Sequence, residues 1–238
     1  MIAQFHCLRG CLYGKSLSCN EKSRGNSYRA VNNYDLDRQI LGCGDGPASF
    51  NAEMSQRGGH IISIDPIYVF NVPQIKSRIA ETYEEVMAQT RKNQNEFIWE
   101  TITSVEELGR IRMLAMDTFL NDFYVGKQQG RYIAGALPSL PFNNGRFDLA
   151  LSSHFLFLYS AHFSAEFHLQ ALQEMLRVAH EVRVFPLLML GGAPSPHLDF
   201  VIEELTKDAF SIEIKRTHYE FQKGGNEMLV IKSTSSKF

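Results

Sequence analysis

A glycine-rich turn, followed about 20 residues later by an acid, is the feature that most constrains this chain. Gly42, Gly44 and Gly46 stand within five positions, directly after an apolar segment. Glycine has no Cβ, so the backbone can turn sharply there and approach a ligand closely. Residues 61–64 are a short apolar run typical of a buried parallel strand, and Asp65 follows it. This spacing predicts a nucleotide-binding β-α-β unit in which the acid accepts hydrogen bonds from ribose hydroxyls.

The third glycine of a dinucleotide-binding turn is missing. In G-x-G-x-x-G that glycine lets helix and strand pack closely around a pyrophosphate, and here the position holds Pro47. The pattern is G-x-G-x-G instead. A helix is expected to begin near residues 47–48, with its free N–H groups pointing above the loop, and to end at Gly58-Gly59.

The glycine pattern resembles the first motif of class I S-adenosyl-L-methionine (SAM) dependent methyltransferases. Residues 140–151, which read LPFNNGRFDLAL, resemble the stretch of that family that ends strand three and enters strand four. The resemblance runs from about Asp37 to Ile231 with the motifs in order. The strings GCGDGPASFNAE, ALPSLPF, SHFLFLYS and EVRVFPLL resemble a group of bacterial methyltransferase-like proteins with no established substrate.

The resemblance implies a Rossmann-like α/β fold: a seven-stranded sheet of order 3-2-1-4-5-7-6 with helices on both faces. It also implies that SAM is the cofactor and that a small molecule accepts the methyl group. The cofactor site is expected to use the glycine loop for the methionine end, Asp65 for the ribose, and four further residues beside the adenine. The residues of the loop are Gly42, Cys43, Gly44, Asp45 and Gly46, and those beside the adenine are Pro66, Ile67, Ala136 and Leu137.

The loop after the fourth predicted strand holds the candidate catalytic residue. His154 follows that strand directly, and its imidazole can act as a general base near neutral pH. A second interpretation is that His154 shapes the pocket through backbone hydrogen bonds. The Asn-Pro-Pro-Tyr type of motif that holds exocyclic amines is absent after this strand. Its absence disfavours nucleobase amino groups and glutamine as acceptors.

Charge and composition limit the partners. The net charge is −2, and the first 33 residues carry five basic residues against one acid, which leaves the remainder acidic. A mildly acidic body disfavours nucleic acid as a partner. No apolar run reaches the roughly 18 residues of a membrane span, and Arg9 interrupts the N-terminus before a signal-peptide core could form. No membrane partner is expected, and the oligomeric state is open.

The chain is interpreted as residues 1–33, a flexible extension rich in Ser, Asn, Gly and basic residues, followed by one domain over residues 34–238. Cys7, Cys11 and Cys19 lie in the extension with spacings that match no common zinc or iron–sulfur pattern, so no metal site is expected. Free thiols favour a reducing cytoplasm.

Helices at residues 72–91 and from Ser104 onward lie in a long insertion between strands two and three, and strand three is expected at residues 132–137. This insertion is either cover for one sheet face or a lid over the substrate pocket. Trp99, which lies between the two helices, belongs either to the core or to the pocket wall. Further along, Ser164 is expected to cap a helix, and residues 181–190 are expected to form strand five.

Two other functions remain open. Ile40 and Ala136 stand where methyltransferases of this family usually carry acids, which keeps a non-catalytic SAM- or nucleotide-binding module as an alternative. A dinucleotide-dependent oxidoreductase is the other, and Pro47 argues against it.

Overall fold

The computed structural model describes residues 35–208 and 210–233. The extension over residues 1–33 and its three cysteines lie outside these residues. In the described part of the chain, no helix is long and apolar enough to cross a membrane.

Seven strands form one sheet in the order β3-β2-β1-β4-β5-β7-β6, which confirms the predicted order. The strands are β1 (Gln39–Cys43), β2 (His60–Ile64), β3 (Tyr132–Ile133), β4 (Phe147–Ser153), β5 (Ala179–Phe185), β6 (Phe210–Arg216) and β7 (Glu227–Ser233). Strands β1 to β5 pair in parallel, and β7 runs antiparallel to both β5 and β6. Because β5 and β6 therefore run in the same direction, the 217–226 turn lies at the carboxyl edge of the parallel strands.

Helices cover both faces of this sheet. They are α1 (Phe50–Gln56), α2 (Val72–Lys92), α3 (Val105–Gln128), α4 (Ala165–Val178) and α5 (Leu198–Lys207). Side chains alternate along each strand, so Leu41 joins the core under α4 and α5 while its neighbour Ile40 joins the core under α1. Central strands buried on both faces explain the continuous apolar runs of the sequence.

Capping residues fix where several helices begin. The Asn71 side chain accepts from the Gln74 N–H while Gln74 bonds back, which is a full capping box at the start of α2. Ser104 accepts from the Glu107 N–H at the start of α3, and Ser164 caps α4 in the same way. Both serine caps confirm the helix starts expected from the sequence.

Three predicted boundaries were wrong. Helix α1 begins at Phe50 instead of residues 47–48 and has only 7 residues, so it provides no helix terminus directly above the glycine loop. Strand β3 spans two residues, because the chain turns at the Ala136–Ser139 bridge instead of continuing to Leu137. Strand β5 ends at Phe185 instead of Leu190, because Pro186 has no N–H to donate to a ladder.

The insertion between β2 and β3 crosses the carboxyl edge of the sheet. It leaves the sheet after β2, and its middle segment bonds to the 217–226 turn on the far side: Ile98 N–H donates to Phe221 O (2.7 Å) and Lys223 N–H to Glu96 O (2.9 Å). Four strand spacings of about 4.8 Å separate β2 from β7, roughly 19 Å, and the 21 residues of α2 rise about 31 Å. We call residues 94–99 the strap. Of the two interpretations of the insertion, this position over the strand ends favours the lid.

Candidate functional site

The glycine loop connects β1 to α1 at the carboxyl edge. Gly44 and Gly46 have φ values of +71° and +59°, in the left-handed region that costs other residues about 1–2 kcal/mol. The Gly44 N–H donates to Ile64 O of the neighbouring strand (2.8 Å). The loop conformation therefore requires glycine at both positions, as the sequence predicts.

Asp65 joins this loop to the end of β2. Its Oδ2 accepts from the Gly46 N–H and its Oδ1 from the Ile67 N–H, both at 2.9 Å. The carboxylate is only 7% exposed, and hydrogen bonds to a charged acceptor in such a place are among the strong ones. The acid and the glycine turn predicted from their spacing thus lie side by side.

Tyr68 holds the other side of the same glycine, and no sequence motif pointed to it. Its hydroxyl donates to Gly46 O (2.8 Å), and the ring is buried against Phe119 at 5.9 Å and Tyr132 at 5.3 Å. Burial raises the pKa of the Tyr68 phenol well above its usual value, and the Asp45 and Asp65 charges raise it further. The phenol therefore remains a proton donor to the loop.

Asp45 lies under the loop rather than above it. It is 6% exposed and accepts from the Ser63 hydroxyl (2.5 Å), and its carboxylate fills the space that a Cβ on Gly42 would occupy. Ser63 also accepts from the Asn51 amide, which bonds to Arg131. This buried polar network shapes the loop from below.

A partly buried ion pair continues the network toward α3. Arg131 donates to both oxygens of Asp122 at 2.7 Å. Burial raises the pKa of Asp122, but hydrogen bonds from Arg131 and Tyr132 outweigh burial and lower it overall. The glycine loop is thereby connected, through side chains alone, to the helix that returns from the strap.

The Cys43 side chain is part of the core. It is fully buried, and burial raises the pKa of its thiol well above the usual value. A buried, protonated thiol is unsuited to nucleophilic catalysis. The side chain packs against the α4 face while its backbone belongs to the loop.

The 136–142 loop stands on the other side of Asp65, after β3. Ala136 is exposed, whereas Leu137 and Ile67 are buried in the two cores and Pro66 is intermediate. Of the four residues expected beside the adenine, Ala136 and Pro66 therefore present surface, and the other two support it from behind.

Two residues of α4 hold this loop in place, and no sequence motif pointed to them. Glu174 accepts from the Leu140 N–H (2.7 Å), and Arg177 donates to Phe142 O at 2.8 Å and Leu140 O at 3.2 Å. The two side chains also pair with each other at 2.8 Å. The Arg177 hydrogen bond holds the pKa of Glu174 below its usual value, despite partial burial.

His154 has a backbone conformation that is rare outside glycine, with φ +56°. Such residues concentrate at functional sites. Its N–H donates to Phe185 O (2.6 Å) and its Nδ1 is 2.9 Å from the Ser153 hydroxyl. The imidazole thus lies at the end of β4, beside the Phe185 ring at 5.4 Å. Both interpretations of the residue, base and pocket-shaping group, agree with this position.

Phe155 closes the space above the glycine loop. A Cβ on Gly44 would lie 2.7 Å from the Phe155 ring. The ring therefore contacts the loop where a side chain would otherwise stand.

The strap is attached by aromatic rings. Phe97 stacks on Phe221 with centroids 5.0 Å apart, and Trp99 meets both rings edge-on. All three rings are partly exposed, so Trp99 belongs to a surface cluster at the carboxyl edge of the sheet rather than to the core.

Comparisons with known proteins give one relative of related sequence. No protein-family model matches this chain. Uncharacterized protein MJ0045 of Methanocaldococcus jannaschii is 32% identical over 198 residues, which cover 83% of this chain and 86% of that protein.

Solved structures resemble the fold at low sequence identity. A SAM-dependent methyltransferase from Methanosarcina mazei is 13% identical, with 83% of this chain and 93% of that chain covered and a TM-score of 0.44. Magnesium protoporphyrin IX methyltransferase from Synechocystis, solved with bound SAM, is 12% identical, with 83% and 71% covered and a TM-score of 0.43. These likenesses concern the fold alone. By its sequence, this chain belongs to the family of uncharacterized protein MJ0045.

Proposed function

We propose that this protein transfers a methyl group from SAM to a small-molecule acceptor. The observation that carries the proposal is the Asp65 carboxylate, which lies against the left-handed Gly46 at the carboxyl edge of a 3-2-1-4-5-7-6 sheet. Ligands of open α/β sheets bind beyond this edge.

The residues around Asp65 fit an adenosine-containing ligand. A carboxylate can accept about four hydrogen bonds. Ribose hydroxyls are its natural further donors, with the adenine between Pro66 and the exposed Ala136. The Gly42–Gly46 backbone would then face the methionine end. In this arrangement Asp45 and Cys43 act from below, by shaping and packing the loop.

SAM would supply a methyl group on a sulfonium, and the protein would align the acceptor and take up its proton where it has one. His154 is the residue for that second task. If its Nδ1–H is donated to the Ser153 hydroxyl at 2.9 Å, Nε2 holds the lone pair that a general base needs. The Phe185 ring packs edge-on beside it, with the ring centroids 5.4 Å apart.

A binding test separates the oxidoreductase from the two SAM-binding candidates, the methyltransferase and the non-catalytic module. Calorimetry with S-adenosylhomocysteine (SAH) and with NADH is expected to show SAH binding alone. Binding of NADH but not SAH would favour the oxidoreductase. Binding of neither ligand at millimolar concentration would contradict both the methyltransferase and the oxidoreductase.

A transfer test then separates the enzyme from a binding module. SAM with a labelled methyl group would be incubated with the protein and a small-molecule cell extract. His154→Gln is expected to lower labelling by about 10²–10⁴-fold at unchanged SAH affinity. The control is His60→Gln, because His60 is exposed at the opposite end of β2. SAH binding with no labelled product in any extract would favour the non-catalytic module.

A further inference from the structure

Arg112 lies in the middle of the inward face of α3. The residues around it on that face are apolar and almost inaccessible: Leu108 is 0% exposed, Ala115 8% and Phe119 0%. These positions are separated by three, four or seven residues, so they lie in one stripe along the helix. A guanidinium at the centre of such a stripe requires an explanation.

Two nitrogens of the Arg112 guanidinium are shielded and lack partners, while the residue as a whole is partly exposed. Among the described residues, neither Nε nor Nη1 of Arg112 has a hydrogen-bond partner, and both atoms are buried. Arginine stays charged at any physiological pH, and a buried charge without a partner is costly to the fold. An anion that completes the site would explain such a group.

The acids of α3 have other positions or partners. Glu106 pairs with Arg91, Glu107 contacts Arg110, and Asp122 pairs with Arg131. The partner of Arg112 must therefore come from elsewhere.

The course of α3 places Arg112 over the proposed cofactor site. The helix begins just after the strap, which is bonded to the 217–226 turn, and further along Phe119 stacks on Tyr68, whose hydroxyl holds Gly46. Arg112 lies on the same face, about 10 Å from Phe119 along the helix axis. It is therefore located between two anchored points of α3, the strap and Phe119, on the side of the strand ends that lie between β2 and β7.

We propose that Arg112 binds a carboxylate of a ligand held between α3 and the carboxyl edge of the sheet. A planar guanidinium matches a carboxylate with two parallel hydrogen bonds. This proposal rests on the proposed function, under which the carboxylate belongs either to the amino-acid end of SAM or to the acceptor. The unpartnered charge of Arg112 lowers the stability of the unliganded protein, and the bound carboxylate removes this cost.

The first experiment measures stability without ligand. Arg112→Met keeps the length of the side chain and removes the charge, so its unfolding temperature is expected to rise by roughly 2 °C or more. The matched control is Arg110→Met, on the exposed side of the same helix, which should change little. A fall for Arg112→Met would overturn the proposal, because it would mean that Arg112 has a partner within the chain.

The second experiment identifies the source of the carboxylate by calorimetry on the wild type, Arg112→Met and Arg112→Lys. If the source is SAM, Arg112→Met binds SAH roughly tenfold or more weakly but binds 5′-methylthioadenosine, which lacks the amino-acid part, with unchanged affinity. If the source is the acceptor, SAH affinity is unchanged, and benzoate added to the SAH complex binds the wild type but not Arg112→Met. In either case Arg112→Lys should restore part of the lost affinity.

No dependence of any of these ligands on Arg112 would overturn the proposal. The experiment still tests the role of Arg112 if the proposed function is wrong. Should neither SAH nor 5′-methylthioadenosine bind the wild type, benzoate alone still tests Arg112: binding that Arg112→Met abolishes supports the carboxylate site, and no binding overturns it.

Discussion

Replacing Asp65 by Asn tests the loop and the ligand at once. The substitution keeps the shape of the side chain but removes the charge and puts an NH₂ group against either the Gly46 or the Ile67 N–H. One of the two observed hydrogen bonds at 2.9 Å is thereby lost, and the other no longer has a charged acceptor. A hydrogen bond to a charged group contributes about 1.5–3 kcal/mol.

We therefore expect Asp65→Asn to lower the free energy of unfolding by about 1.5–3 kcal/mol, out of the roughly 5–15 kcal/mol of a typical domain. Urea unfolding measures this change. If Asp65 also binds ribose hydroxyls, SAH affinity should fall at least roughly tenfold, since each factor of ten corresponds to about 1.4 kcal/mol. Calorimetry measures that second effect on the folded variant.

The control is Asp117→Asn, because Asp117 is exposed on α3. It should change neither quantity. An unfolding free energy of Asp65→Asn within about 0.5 kcal/mol of wild type would refute the role of the carboxylate in the loop. If Asp65→Asn shows the expected loss of stability but unchanged SAH affinity, the role of Asp65 in binding is refuted.

Three further results are expected. Gly44→Ala should destabilise the protein more than Gly46→Ala, because only the Cβ at residue 44 meets a ring, at 2.7 Å; equal unfolding midpoints in urea would contradict this. Glu174→Gln should flatten the acid side of the stability profile, because the folded pKa of Glu174 is lowered. The stability that this carboxylate provides is complete well above its unfolded pKa of about 4.3 and is lost as the pH falls through the lower folded value; a wild-type slope in the variant would disprove it. Phe221→Ala should detach the strap, and the Ile98 amide should then exchange with solvent at least roughly tenfold faster while the amides of the central strands keep their rates; an unchanged Ile98 rate would show that the strap is held by other contacts.

Local patterns were sufficient to predict the sheet and the main loop. The glycine turn and Asp65 are separated by one helix and one strand, and parallel strands bring their ends to one edge whatever else the chain does. This is why Gly46 and Asp65 could be paired from their spacing alone. The apolar run at β2 carries its own strand signal.

Contacts between distant segments left no pattern in the sequence. Nothing in the sequence distinguishes Tyr68 from other aromatic residues, although its hydroxyl donates to Gly46 O. The support of the 136–142 loop by Glu174 and Arg177 joins residues more than 30 positions apart. The apolar stripe of a helix shows which residues face inward. It does not show whether a charged residue there has a hydrogen-bond partner, so the unpartnered atoms of Arg112 could be identified only from the structure.

The boundaries that were predicted wrongly have the same origin. Strand β3 stops early because Ala136 bridges to Ser139, a local bond that competes with the sheet. Helix α1 starts late, although Ala48 favours helix, because the chain must first leave the left-handed Gly46. Strand propensity and helix propensity give way to such tertiary constraints.

A crystal structure of the protein with SAH tests the central claim most directly. The account predicts the ribose hydroxyls within hydrogen-bond distance of the Asp65 carboxylate, the adenine between Pro66 and Ala136, and the sulfur atom on the side of His154. SAH bound away from the carboxyl edge of the sheet, or with its ribose held by residues other than Asp65, would contradict it.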